Sequence, residues 1–228
     1  MIYSNKRKLC LSGWLKENNN VLYETPLKLQ KFLLFYEAFS KVSGENPDFS
    51  HLRGYKNGPV FSNVWGDHIK ERSNFNSAAQ DAFVNNSVEI DTERAKKCAF
   101  MVSTMTEKEL SDLTHQMNLW KCKEERIMNG ECQVDLSESD FNSDDEKLIR
   151  TLDAMYPSKL VEDSKVVGLD RNYFVFTKFD AQHLTEEHFD TLLTLAENEE
   201  LHNPVFVDIV DIDGKMELIV DDYEFHIF

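Results

Sequence analysis

Asp211, Asp213 and Glu217 crowd carboxylates around an Asp-Gly dipeptide, an oxygen-rich turn of the kind that can hold a divalent cation. The pattern argues against one, because Asp211-x-Asp213-Gly214 lacks the further ligands and the closing glutamate of a calcium loop. His183 and His188 stand too far round a helix for both imidazoles to meet one zinc, and no H-E-x-x-H segment is present. Cys10, Cys98, Cys122 and Cys132 include no C-x-x-C pair, so reduced thiols are expected rather than a metal site. Tyr55 to Val60 matches neither glycine-rich phosphate loop. The Asp and Glu residues are too many and too scattered to nominate an acid and base pair. An enzyme is the least supported class, and no metal or cofactor is expected.

Two polar residues stand out through their surroundings instead. From Thr25 to Phe39 the chain reads as a helix, with Thr25 as cap, Pro26 at the first position, and Leu27, Leu29, Phe32, Leu33, Leu34, Phe35, Tyr36 and Phe39 around most of the circumference. Such a helix is central and mostly buried. Gln30 and Lys31 are the long polar residues in its middle, expected either to reach solvent along one narrow strip or to serve a partner through it.

The other elements follow from the chain in order. Lys6 to Lys16 reads as a first helix with Leu9, Leu11, Trp14 and Leu15 on its apolar side. Gly58-Pro59 predicts a hinge into a helix from Val60 to Arg72, with Val60, Phe61, Val64, Trp65, His68 and Ile69 on one face. Ser73 to Asp91, rich in Ser, Asn and Asp, predicts a loop with at most a short helix. A helix from Asp91 or Thr92 to about Met105 follows, then a Thr106-x-x-Glu109 capping box opening a helix that carries Leu110, Leu113, Thr114 and His115. Beyond a Ser- and Asp-rich linker, Asp144 to Tyr156 predicts a helix that Pro157 stops. Tyr173 to Phe179 predicts a strand, Thr185 to Glu197 a capped helix, and Val205 to Ile212 with Lys215 to Val220 a hairpin about Asp213-Gly214. Phe225, Ile227 and Phe228 suggest a last short strand. The expected class is α+β, a helical domain over residues 1–134 followed by an acidic α/β extension over 135–228.

Charge divides the chain at the same place. Residues 1–134 hold 17 acidic and 18 basic residues, whereas 135–228 hold 24 acidic and 7 basic, so the whole excess of −16 lies in the extension. A block that negative repels nucleic acid and anionic lipid and speeds its encounter with a basic partner. Direct nucleic-acid binding is not expected. No apolar run approaches the ~18 residues of a membrane span, and Met1 to Trp14 does not read as a signal peptide, so a cytoplasmic protein is expected.

Three separated pieces then fit one family. Leu27-Lys28-Leu29-Gln30-Lys31-Phe32, Tyr55-Lys56-Asn57-Gly58-Pro59-Val60, and Leu113-Thr114-His115 with Trp120 resemble, in order and spacing, the Panacea domain of SocA-like and GepA-like antitoxins. The resemblance covers residues from about 5 to about 140, and Leu52-Arg53-Gly54 stands where the family usually has a bulkier pair. It implies a helical antitoxin module that neutralises a cognate toxin by direct protein contact, without enzymatic activity. Its recurrent positions here are Leu29, Gln30, Lys31, Tyr55, Gly58, Pro59, Val60, Leu113, Thr114, His115 and Trp120. Most are expected to hold the fold, His115 by hydrogen bonding to a neighbouring helix.

Charge and resemblance together predict an antitoxin whose acidic extension meets a toxin with a basic surface. The carboxylates of the hairpin, Asp208, Asp211, Asp213, Glu217, Asp221 and Asp222, are the candidate contacts. The alternative is a phage or defence-related inhibitor that mimics nucleic acid to block a nucleic-acid-processing enzyme; an adaptor delivering a toxin to a protease is a third class.

Overall fold

The computed structural model describes residues 1–86, 88–212 and 215–221. The Asp213-Gly214 turn, Asp213, Asp222 and the suggested strand at Phe225 to Phe228 lie outside them. The fold is mixed α+β, and it clusters into two compact units: Met1–Val102 with Glu107–Pro157, and Ser103–Thr106 with the chain from Ser158.

The first unit is built around α3 (Pro26–Val42), after α1 (Lys6–Asn18) and α2 (Asn20–Glu24). Leu29, Phe32, Leu33, Leu34, Phe35, Tyr36, Ala38 and Phe39 of α3 are all buried, as its near-continuous apolar circumference requires. Pro26 opens the helix and Thr25 stands at its N-cap, but without a side-chain capping bond: its hydroxyl donates back to the Val21 carbonyl of α2 at 2.9 Å. Trp14 of α1 stacks on Phe32, 5.9 Å between ring centres. A buried ion cluster ties the two helices more firmly. Glu37 of α3 accepts from Lys8 Nζ (2.5 Å), from Arg7 Nε (2.9 Å) and Nη2 (2.8 Å), and from the Asp48 N–H (2.9 Å).

The Gly-Pro segment is not a helix start. Leu52–Tyr55 (β1) and Gly58–Phe61 (β2) form an antiparallel hairpin, and α4 begins only at Ser62, running to Lys70. Ser73 to Asp91, expected as loop, is mostly helix: α5 spans Arg72–Val84. Its Ser and Asn content disfavours a helix in isolation, but Phe75 and Ala79, one turn apart, are buried, and tertiary packing overrides propensity. Gly13 of α1 makes this contact possible, since a Cβ there would run into the Ala79 carbonyl and lie 2.7 Å from Phe83 Cβ. Next come α6 (Thr92–Ser103), α7 (Glu107–Gln116), α8 (Asn118–Lys121) and α9 (Glu124–Met128), then the two-residue strand β3 (Val134–Asp135) and α10 (Ser143–Met155).

The junction expected at residues 134 and 135 falls inside β3, which pairs with Arg53 and Gly54 of β1 as the third strand of the sheet. α10 also belongs to the first unit. Its buried Asp145 accepts from the Asn118 (2.6 Å) and Leu119 (3.0 Å) N–H groups, capping α8 as well as its own helix. Burial pushes that carboxyl up despite these bonds. The division between units therefore comes after Pro157.

In the second unit, α11 (Ser158–Asp163) precedes β4 (Ser164–Leu169), β5 (Asn172–Thr177), α12 (Glu186–Asn198), β6 (Val205–Ile212) and β7 (Lys215–Asp221). The sheet order is β4-β5-β6-β7, with β5 and β6 parallel across α12 and antiparallel hairpins on either side. β4 lies outside the strands expected from the sequence, because none of its residues is fully buried and its apolar signal is short. Phe174, Phe176, Leu192, Ala196, Val205 and Val207 make a small core. Thr185 caps α12, accepting from the His188 N–H at 3.3 Å. From Ser158 onward the chain holds 17 acidic and 5 basic residues. Among the described residues no helix is long and apolar enough to cross a membrane.

Candidate functional site

Gln30 and Lys31 do not reach solvent; each is 1% exposed, and each is spent inside the protein. Successive residues on a helix diverge by about a quarter turn, so the two side chains serve different ends of one hairpin. Gln30 Oε1 accepts the Phe61 N–H at 2.8 Å, at the end of β2. Because β2 is an edge strand, that N–H faces away from the ladder and needs a partner from elsewhere. Pro59, two residues earlier, turns its nitrogen to the same open side, where a missing N–H costs the sheet nothing. This register is why Gly58-Pro59-Val60 is strand and not helix.

Lys31 Nζ donates to the Asn57 carbonyl at 2.9 Å and to Thr114 Oγ1 at 2.8 Å. The Thr114 hydroxyl lies 3.0 Å from both the Leu110 and Ser111 carbonyls of α7, which take its proton. Gly58 closes the arrangement. Its φ of 97° is left-handed, as in the glycine of a bulged hairpin turn, and a Cβ there would run into both Lys31 Nζ and Thr114 Oγ1. Trp120 Nε1 donates to the Tyr55 carbonyl at 2.9 Å, and the His115 ring hydrogen-bonds the Lys56 main chain while stacking on Trp120 with centroids 3.9 Å apart. His115 thus bonds a turn, not the neighbouring helix expected of it. Three consecutive residues of the β1–β2 turn are each held by one side chain: Tyr55 by Trp120, Lys56 by His115, Asn57 by Lys31.

The family-like positions are therefore one interlocked assembly. Leu29 and Leu113 are buried in the core beneath it, and Val60 is half-buried at its rim. Beside the turn lies a cavity of about 320 Å³, whose walls include Leu27, Gln30, Lys31, Tyr55, Val60 and Trp65. Its polar floor is unbalanced toward donors. Gln30 Nε2 is buried without a hydrogen-bond partner, and Lys31 offers three N–H groups to two neutral acceptors. Burial alone pushes the Lys31 amine down to about 7. His115 Nε2 is also buried and unpartnered, and burial, followed by the nearby Lys31 charge, lowers its pKa. The sequence does not reveal this cavity. Asn57-Gly58 is the signal that could have revealed the hairpin that forms it.

In the second unit the acidic residues do not form the single cluster expected at the hairpin. Asp208 pairs with Ile219 and Val210 with Glu217, which puts Asp208 and Glu217 on one sheet face, while Asp211 pairs with Met216 and shares the other face with Val207 and Ile209. Asp221 is paired with Phe206 at the end of β7. A different acidic feature is better formed: a groove between α12 and β7, floored by Leu192, Leu195, Leu218 and Val220, with exposed Glu187, Asp190 and Glu199 among its lining residues. Leu218 and Val220 lie on the strand at the sheet's edge.

Among the described residues no group of three or more His, Cys, Asp or Glu side chains gathers as a metal site, and all four cysteines are free. Comparison with protein-family models, with curated proteins and with solved structures gives no match to this chain.

Proposed function

We propose that the chain is an antitoxin of the Panacea-like kind, which neutralises a cognate protein toxin by direct contact. The observation that carries this reading is the joining of the three resembling segments, far apart in sequence, into one hydrogen-bonded assembly around the β1–β2 turn. Each residue type in the motif has a distinct partner there, which accounts for the motif as the frame of a fold rather than as chemistry on a substrate. The contact with the toxin falls to the second unit. Its α12–β7 groove combines an apolar floor with Glu187, Asp190 and Glu199, a surface suited to a basic amphipathic segment that also carries the charge of a cationic active site.

The test is to express the open reading frame beside this gene in a growth assay, alone and together with this chain. Growth arrest rescued by co-expression, with co-purification of the two proteins, is the expected result. A non-toxic neighbour would overturn the reading and favour the acidic inhibitor, which predicts competition with nucleic acid for a basic groove. Loss of the toxin from cells, with its activity unblocked in a purified mixture, would point to delivery to a protease instead.

A further inference from the structure

We propose that the cavity beside the β1–β2 turn is a binding site for a small monocarboxylate with a branched or aromatic apolar body, its carboxylate set against Lys31 and Gln30. The site is independent of what the second unit binds.

The inference comes from counting donors and acceptors. Lys31 is fully buried, and its acceptors are one main-chain carbonyl and one hydroxyl, both neutral, so the charge of its ammonium form is uncompensated and its third N–H is unmet. Gln30 has given its oxygen to Phe61 and holds a buried amide nitrogen with no acceptor. Native structures rarely leave such groups unsatisfied, and here both residues line the same cavity. An acceptor supplied from outside the chain would meet both needs. A carboxylate brings two acceptor oxygens and the opposite charge, in a setting where charge-assisted bonds are strongest.

The remaining walls define the rest of the ligand. Leu27, Pro59, Val60 and the rings of Tyr55 and Trp65 are apolar or aromatic, Lys56 and Asn57 are the other polar lining residues, and a volume of about 320 Å³ belongs to the small end of ligand pockets. That space suits one compact apolar group and is too small for a folded element of a partner. Of the three tryptophans Trp65 alone lines the cavity, so a change in fluorescence on titration is expected from its indole over a background from Trp14 and Trp120.

Benzoate and 4-methylpentanoate are titrated into the full chain, followed by tryptophan fluorescence and by calorimetry, with benzamide as the neutral match. Saturable binding of the carboxylates is expected, at least about tenfold tighter than benzamide, the ratio that one charge-assisted hydrogen bond supplies. Val60→Phe, which adds bulk to the cavity wall at a half-buried strand position, should abolish binding while leaving the far-ultraviolet spectrum and melting temperature near wild type. Lys31→Met should lose the preference for carboxylate over amide. No saturable binding to the wild type, equal affinity for benzamide and benzoate, or binding unchanged in folded Val60→Phe would each overturn the proposal. The Val60 variant and the benzamide comparison decide even where Lys31→Met does not fold.

Discussion

The two units handle charge in opposite ways. In the first, charged side chains are drawn inside or paired across elements: Lys8 with Glu37, Arg94 with Glu45 at 2.6 Å, Lys97 with Asp153, Lys123 with Asp140 at 3.0 Å. Several of its charges thus have a structural counterpart on another element. In the second, Glu187, Asp190 and Glu199 stand on the surface around a small core, and these three make no ion pair with a described residue. Charge in the first unit specifies how helices meet, and under the proposed function charge in the second serves an encounter. Substitutions should therefore act on stability in the first unit and on association in the second.

The largest effect is expected at Glu37. Glu37→Ala strips the nearest carboxylate from buried Lys8 and half-buried Arg7 at once, leaving Lys8 with Asp48 alone, at 3.5 Å. A loss of about 3–5 kcal/mol in urea unfolding is expected, the range for breaking a buried pair from one side. A loss near zero would mean that the cluster is solvated and that the contrast between the units is weaker than drawn. Gly58→Ala comes next. It forces a side chain into the left-handed region and against Lys31 and Thr114, at about 1–3 kcal/mol for the backbone alone, with the clash additional.

Proton linkage sharpens the same contrast. Burial, then the neighbouring Arg72 charge, pushes the His68 imidazole down to about 4 from 6.5. The unfolded chain binds more protons between these values, so stability is lost as pH falls through 6.5 toward 4. Lys31 works in the alkaline range: at about 7 when folded against 10.5 in an open chain, it makes stability rise with pH across that window. Unfolding midpoints measured against pH should show both slopes, and Lys31→Met should flatten the alkaline one alone. Asp48 acts lower still. Burial raises its carboxyl, but Lys8 and hydrogen bonds from Ser50 and Asn5 outweigh this and hold it at about 2, so its contribution is lost as pH falls below 3.8.

Much of the first unit could be read from the sequence because its elements carry local signals. α3 announces itself through eight buried apolar residues behind Pro26, and α10 through its capping residues and one apolar face. What misled was tertiary in origin. Arg72 to Val84 is a helix because Gly13 lets it approach α1, and Gly58-Pro59 enters a strand because Gln30, far away in sequence, satisfies the edge N–H that the strand exposes. The structure brings Gln30, Lys31, Gly58, Thr114, His115 and Trp120 to one turn, but their partners are not legible in sequence: long polar residues on an apolar helix look the same whether they reach water or, like Gln30 and Lys31, a buried hairpin. In the second unit the charge excess was plain, yet the hairpin register splits Asp208 and Glu217 from Asp211, and the groove draws on α12, which a strand-by-strand reading does not bring together with β7.

The smallest effect on stability, and the most direct test of the contrast, is expected in that groove. Glu187→Gln, Asp190→Asn and Glu199→Gln each alter an exposed side chain on or beside α12, and surface changes of this kind stay within about ±0.5 kcal/mol. Together they remove three negative charges from one face while keeping shape and hydrogen-bonding size. If the groove receives a basic partner, the association rate with the co-purifying protein should fall several-fold at low salt and converge with the wild type as salt screens the field. A neutral control is available in the same unit: Asp163→Asn, on α11 and outside the groove, changes charge without changing the groove's own field at close range. Equal losses per charge removed, in the logarithm of the rate, for the groove and the control would assign the effect to net charge alone, and the second unit would then act as a diffuse acidic body rather than through a shaped contact.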